Sequence, residues 1–341
     1  MRAALVKAPG KVKIADVPPG RPGPGETLVR IALCGVCGSD SLEAKSWAKD
    51  WKRFGHEMVG AVAEAGPGVA GVKPGDRVAI ALSAACGACA ACVSANPRRC
   101  TNLAVAQQGG FAEYVTVSSE ALLHRIPAEL SDDLACLAEP LTVILDAFEA
   151  ARLQAGHRLL VVGGGFLGAL AMLAAKTAGV EVAGLLTRAP RAAAQAALAE
   201  TGAPLFLWRT RWGRTLAPPA DFQSRLAVRP QRLVVLHTAP ARYIVAYAES
   251  LPFDSTVVNL GLATAEKDNR ITLDAPTMMF RRLQVLSGFP VPCLFMGKAL
   301  EMLARNAAAF SRLPAARLPL EKLPDVIRNS KRLDGKVLIE P

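Results

Sequence analysis

Four cysteines, Cys86, Cys89, Cys92 and Cys100, fall inside one short window of the chain. Four thiolates on one loop can close a tetrahedron around zinc at ~2.3 Å each, and Gly87 lets the backbone turn sharply between the first two. Such a site leaves no coordination position for a substrate, so its role is structural: it pins a loop that lacks a core of its own. An iron–sulfur cluster is the other metal choice, and four incidental thiols the bland alternative.

A second set of chemical groups is dispersed. Cys37 lies in Cys34-Gly35-Val36-Cys37-Gly38-Ser39-Asp40, His56 in Phe54-Gly55-His56-Glu57, and Glu139 in Leu137-Ala138-Glu139-Pro140-Leu141. Taken singly, a Cys or His is more often packed core than a ligand. Together they offer a thiolate, an imidazole and a carboxylate, the donor mix of a catalytic zinc that keeps one position open. A metal so held is a Lewis acid. It lowers the pKa of a bound alcohol, or polarises a bound carbonyl, so that hydride can leave or arrive. Asp40 is placed to orient His56, and Ser39 to pass the alcohol proton.

A third motif is Gly163-Gly164-Gly165-Phe166-Leu167-Gly168. G-x-G-x-x-G alone is a weak signal, and a plain glycine-rich turn is its ordinary reading. Here it follows an apolar strand and opens a helix, the context that a dinucleotide fingerprint requires. Gly163 permits the tight turn, Gly165 the approach of a pyrophosphate, and Gly168 close helix–strand packing. The helix N-terminus then presents N–H groups to the phosphates. After the next strand, Leu185-Leu186-Thr187-Arg188-Ala189-Pro190-Arg191 contains no acid. Thr187 stands where an NAD site carries Asp or Glu, and Arg188 beside it suits a 2′-phosphate, so the reading is NADP(H), with NAD(H) the alternative if the arginines are merely solvated.

These groups need two kinds of scaffold. Residues 27–33, 58–65 and 77–82 read as short apolar strands punctuated by Pro22-Gly23-Pro24-Gly25 and Lys73-Pro74-Gly75-Asp76, which suggests a barrel-like antiparallel domain. From about Leu141 the texture changes. Helices are expected over 142–153, 166–177 and 189–200, and strands over 158–162, 181–186, 232–236, 256–260 and 284–287. That alternation argues for a doubly wound parallel sheet. Residues 205–229 are rich in Arg and Pro and receive no element, and 208–214 no function. Beyond Pro290, an amphipathic helix is expected over 296–309, a helix over 323–330 and a last strand over 335–339. His237, in Leu236-His237-Thr238-Ala239-Pro240, is expected to be packed or on the surface rather than against a nicotinamide ribose.

In this order, the Cys-Gly-Ser-Asp run at 37–40, Gly55-His56-Glu57, the four-cysteine knot, Gly75-Asp76-Arg77-Val78, Gly110-Phe111-Ala112-Glu113-Tyr114, Glu139-Pro140-Leu141, the glycines at 163–168 and Gly335-Lys336-Val337 resemble the medium-chain dehydrogenase/reductase family, in its zinc-containing alcohol and polyol branch. The resemblance covers nearly the whole chain. It implies an α/β protein with a GroES-like β-barrel catalytic domain (residues 1–144 and 290–341) and a Rossmann domain (145–289). It implies two zinc ions, one catalytic and one structural. Cys37 and His56 match catalytic ligands, Glu139 or Glu57 the carboxylate of the resting shell, and Ser39 the relay hydroxyl. It also implies a homodimer or homotetramer acting on a small-molecule alcohol or carbonyl compound. Two departures stand out. Many relatives carry a His five residues after the first Cys ligand, where this chain has Leu42 followed by Glu43, so the relay beyond Ser39 differs. The loop from Cys37 to His56 is short and carries Trp47 and Trp51, which either line a pocket or simply pack.

Bulk composition narrows the classes. A chain of 341 residues has room for two domains, and 51% hydrophobic content is enough to bury a core. The net charge of +11 raises the question of nucleic acid, but the arginines are scattered and no zinc-finger or aromatic RNA-binding signature accompanies them. Lys7 and Pro9 interrupt the N-terminus before any signal-length apolar run, and no stretch of ~18 apolar residues occurs, so a cytoplasmic protein without a membrane partner is expected. In a reducing compartment, clustered cysteines serve metals rather than disulfides. The expectation is therefore a zinc-dependent oxidoreductase. Its rivals are a reductase of conjugated double bonds or iminium ions on the same fold, and a non-catalytic scaffold that has lost the chemistry.

Overall fold

Thr27–Gly35 alternates buried Val29, Ile31 and Leu33 with more accessible Leu28, Arg30 and Ala32, the two-residue period of a strand with one face on a core. The computed structural model, which describes residues 1–106, 109–187, 192–208, 232–262, 269–330 and 335–341, places this strand at the centre of a seven-stranded sheet. It pairs antiparallel with Glu57–Ala65, Tyr114–Val117 and Lys336–Glu340. Beneath lie Phe54, Phe111, Ile80, Val115 and Leu122, with the two Phe rings edge to face at 4.9 Å. The register decides where chemistry collects. Gly35 stands opposite both Glu57 and Leu338, so the ends of three strands meet at one edge. Gly35 has to be glycine, because a Cβ there would run into the Glu57 carboxylate.

The chain divides into two compact units, Met1–Thr142 with Pro290–Pro341, and Val143–Phe289. The second unit holds a six-stranded parallel sheet in the order Leu205–Leu207, Glu181–Leu186, Arg158–Val162, Leu233–His237, Thr256–Asn259, Gln284–Ser287. This is the doubly wound order, with the chain reversing direction across the sheet between Arg158–Val162 and Leu233–His237. Both of those strands are buried along their whole length, as central parallel strands are. Helix Phe166–Thr177 buries an unbroken run from Gly168 to Ala175.

Several elements differ from expectation. The helix expected from 142 begins earlier, as Ala138–Ala150. Pro140 falls in its first turn, where a missing N–H costs no helical bond, so Glu139 lies on a helix rather than ahead of one. The amphipathic helix of 296–309 is two helices, Met296–Arg305 and Ala307–Phe310. Asn306 leaves the helical region, and its backbone N–H and side-chain amide both donate to the Met302 carbonyl, at 3.1 and 2.9 Å. Within the otherwise antiparallel sheet, Pro314–Pro319 runs parallel to Lys336–Glu340. Arg188, Arg191 and residues 209–231 lie outside the described residues, whereas Trp208 is buried among Tyr243 and Tyr247.

Candidate active site

The four-cysteine loop closes as its spacing suggests. Cys86 to Cys100 and Cys89 to Cys92 are 3.5 Å apart between sulfurs, Cys89 to Cys100 is 3.9 Å and Cys86 to Cys92 is 4.0 Å. A tetrahedron with ~2.3 Å bonds has sulfur edges of ~3.8 Å, so this cage has the size of a zinc ion. Gly87 turns the chain at φ +71°. Backbone N–H groups of Cys86 and Cys89 donate to the sulfurs of Cys100 and Cys86 at 3.3 Å each. N–H groups of Thr101 and Cys92 pull the Cys89 thiol down to about 5, while desolvation and the adjacent Cys89 thiol push Cys92 up to about 12.

Cys37 follows the central strand and caps the short helix Gly38–Leu42, its N–H bonded to Asp40 Oδ2 at 2.8 Å. His56 immediately precedes the strand Glu57–Ala65. The Cys37 sulfur, a His56 ring nitrogen and a Glu57 carboxylate oxygen all lie within 4.8 Å of one another. Glu139 lies outside that set but acts on it electrostatically. Burial pushes its carboxyl up to about 7, His56 pulling the other way and Glu57 adding to the rise. His56 is buried, which disfavours its charge, yet its hydrogen bond to Cys37 and the negative charges of Cys37, Asp40 and Glu139 hold its pKa well above the ordinary imidazole value. Asp40 Oδ1 sits 3.7 Å from His56 Nδ1, an ion-pair contact rather than a hydrogen bond. Burial raises Asp40 to about 6, against the opposing pull of His56.

Three neighbours escaped the sequence reading. Lys336, in the last strand, donates to both oxygens of Glu57 at 2.6 Å and to the Val36 carbonyl at 3.1 Å, and both charged side chains are almost wholly buried. Lys336 stood in a quoted motif without a role; a lysine opening an apolar strand was the available signal. Cys136 donates to the Glu57 carbonyl at 3.1 Å. Cys293 lies 3.8 Å from Ser83 Oγ, its thiol raised by burial and also by the nearby Glu139. Ser39 is half-buried on the first helical turn, and Leu42 is buried. Trp47 and Trp51 are 49% and 41% exposed, so neither is core, and Lys13 Nζ covers the Trp51 ring at 4.4 Å.

In the second unit the glycine turn leaves the Arg158–Val162 strand with Gly163 at φ +126°, a conformation that excludes other residues, and Gly165 caps the helix Phe166–Thr177. A Cβ at Gly165 would meet no atom within 4 Å, so the space above it is open to an approaching phosphate. A Cβ at Gly168 would strike the Gly163 carbonyl, which is the close packing assigned to that glycine. Thr187 directly follows the strand Glu181–Leu186. The donors and the cradle thus fit a metal and a dinucleotide. His237 is packed: both ring nitrogens are bonded internally.

The alcohol dehydrogenase GroES-like domain matches residues 23–128. A Mycobacterium tuberculosis protein carrying the name alcohol dehydrogenase is 27% identical over 96% of this chain and 93% of its own. The L-threonine 3-dehydrogenase of Pyrococcus furiosus is 37% identical over 48% of this chain and 49% of its own. Among solved structures, a protein of Sinorhizobium meliloti 1021 described as a zinc-binding dehydrogenase bound to NADP is 26% identical, with a TM-score of 0.80 over 100% of this chain and 99% of that one. The galactitol-1-phosphate dehydrogenase of Escherichia coli shares the fold, at 24% identity and a TM-score of 0.84 over the full length of both chains. Donor geometry, sheet order and these likenesses agree: residues 23–128 form an alcohol dehydrogenase GroES-like domain, and the chain as a whole is similar to zinc-binding dehydrogenases.

Proposed function

We propose that this chain is a zinc-dependent, nicotinamide-using oxidoreductase that interconverts an alcohol and its carbonyl compound. The observation that carries the reading is the convergence, within 4.8 Å, of Cys37, His56 and Glu57 donor atoms from two separate stretches, with the buried Glu139 beside them. Zinc held by Cys37, His56 and a carboxylate would supply Lewis-acid polarisation of the substrate oxygen. The protein residues prepare for that. Asp40 keeps His56 oriented and balances its charge. Lys336 holds both Glu57 oxygens, so Glu57 binds a metal only by giving up a buried ion pair, and we assign Glu139 as the resting ligand. Ser39 takes the alcohol proton. With Leu42 in the next relay position, that proton leaves by a route other than imidazole.

The turn from Gly163 to Gly168, with Phe166 and Leu167 opening its helix, would hold the cofactor pyrophosphate. We favour NADP(H) over NAD(H), supported by Thr187 and the absence of any carboxylate among residues 185–191. We also read the chain as a cytoplasmic homodimer or homotetramer. No helix among the described residues is long and apolar enough to cross a membrane. The edge strand Gln284–Ser287 adjoins the Ala275–Arg281 helix, which exposes Met279 and Phe280, as a surface covered by a second copy would. The test is metal analysis together with NADPH- and NADH-dependent turnover of alcohols, polyols, aldehydes and ketones. Two zincs per chain and alcohol–carbonyl activity are expected, with Cys37→Ala abolishing activity. A chain that binds zinc but no nicotinamide cofactor refutes the reading.

A further inference from the structure

The wall beside the glycine turn is fastened by two buried polar side chains that the proposed chemistry does not use. Strand Leu233–His237 leads into Thr238-Ala239-Pro240 at the point where strand order reverses, the place where doubly wound sheets bind their ligands. This segment lies tight on the turn. The Thr238 N–H and hydroxyl both donate to the Val162 carbonyl, at 2.9 and 3.1 Å. A Cβ at Gly163 would strike the Thr238 hydroxyl, and one at Gly261 would strike the Ala239 carbonyl. A small shift of the segment therefore moves the turn.

His237 governs that position. Its side chain is fully buried, and Nδ1 accepts the Tyr247 hydroxyl at 2.9 Å. That assigns the proton to Nε2, which donates to the Pro240 carbonyl at 3.1 Å. Tyr247, in helix Ile244–Ala248, is itself fully buried, with its ring edge to face on Trp208. The ring thus ties the far end of the segment to the helix behind it, with no nitrogen left for an outside ligand.

We infer that His237 and Tyr247 are positioning residues for the cofactor: they fix residues 238–240 against the glycine turn and thereby set dinucleotide affinity without touching the dinucleotide. This rests on the reading that residues 163–168 hold the cofactor. The test is fluorescence titration of NADPH and NADH against the zinc-loaded protein and its His237→Leu, His237→Gln and Tyr247→Phe variants. His237→Leu, which loses both bonds, should raise Kd about tenfold, and Tyr247→Phe about threefold. His237→Gln carries an amide donor toward the Pro240 carbonyl and should recover most of the affinity. Zinc content and the KM for the alcohol should stay at wild-type values. Unchanged Kd in folded His237→Leu, or a Gln variant no better than Leu, overturns the inference. Should His237→Leu not fold, Tyr247→Phe decides it in the same way. A wild-type chain that binds neither dinucleotide overturns the cofactor reading and this inference with it.

Discussion

Replacing Lys336 by methionine removes the ammonium group that neutralises Glu57 while keeping most of the side-chain volume. Both partners are buried, at 3% and 1% side-chain exposure, and the ammonium reaches both carboxylate oxygens at 2.6 Å. Breaking a buried pair from one side leaves the remaining buried charge without its hydrogen-bonded partner, which costs about 3–5 kcal/mol. For a domain of this size that corresponds to a fall in Tm of about 6–20 °C. The double variant Glu57→Gln with Lys336→Met removes both charges and should recover all but about 1 kcal/mol, the remainder being the lost bond to the Val36 carbonyl. Thermal unfolding should be followed with zinc present and after chelation. A carboxylate freed from Lys336 lies within reach of the Cys37 and His56 donors, and a cation there would offset part of the loss. If Lys336→Met melts within about 2 °C of the wild type after chelation, or if the double variant is no more stable than the single, the reasoning about this pair is wrong.

Other outcomes follow from the same geometry. Burial pushes His237 down to about 4. An unfolded chain takes up that proton near ~6.5, so stability should fall as pH drops from ~6.5 and be lost by about 3 kcal/mol below ~4; urea titrations across that range should show a slope that His237→Gln removes. Cys89→Ser should lower bound zinc from two per chain to one and expose the 86–100 loop to protease, seen by metal analysis and limited digestion. Gly168→Ala drives a Cβ into the Gly163 carbonyl and should cost about 1–3 kcal/mol of stability, with at least a tenfold rise in NADPH Kd by titration. Asp40→Asn removes the negative charge facing His56, and a fall in the zinc affinity of that site, measured against a competing chelator, of about 10–100-fold is expected.

Much of this was readable from the residues, for identifiable reasons. The central strand Arg158–Val162, the edge strand Gln284–Ser287 and the helix Phe166–Thr177 show as apolar runs bounded by Gly or polar residues, and their limits coincide with those expected. The knot was legible because its four ligands are neighbours in sequence. The dispersed set was legible only as a donor mix. That Glu57 rather than Glu139 shares the 4.8 Å cluster depends on strand register, which no local pattern states. Lys336 was missed for the same reason: its partner is far away in sequence, and the pairing exists only because Lys336–Glu340 docks beside Thr27–Gly35. Asn306 was missed because a single residue outside the helical region, with backbone and side-chain N–H groups both closing on the Met302 carbonyl, interrupts an otherwise continuous helical period.

The late arrival of Lys336 bears on synthesis. The ribosome delivers Cys37, His56, Glu57 and Glu139 long before residue 336, and all of Val143–Phe289 emerges in between. Glu57 must wait through that interval with its carboxylate still hydrated, because nothing made earlier supplies the ammonium observed beside it. The parallel sheet can therefore mature while the strands around Glu57 remain loose, and closure of the unit that holds Glu57 must await the synthesis of Lys336. Nascent chains stalled before Lys336 should consequently carry a settled nucleotide-binding fold beside an unfinished metal-binding one.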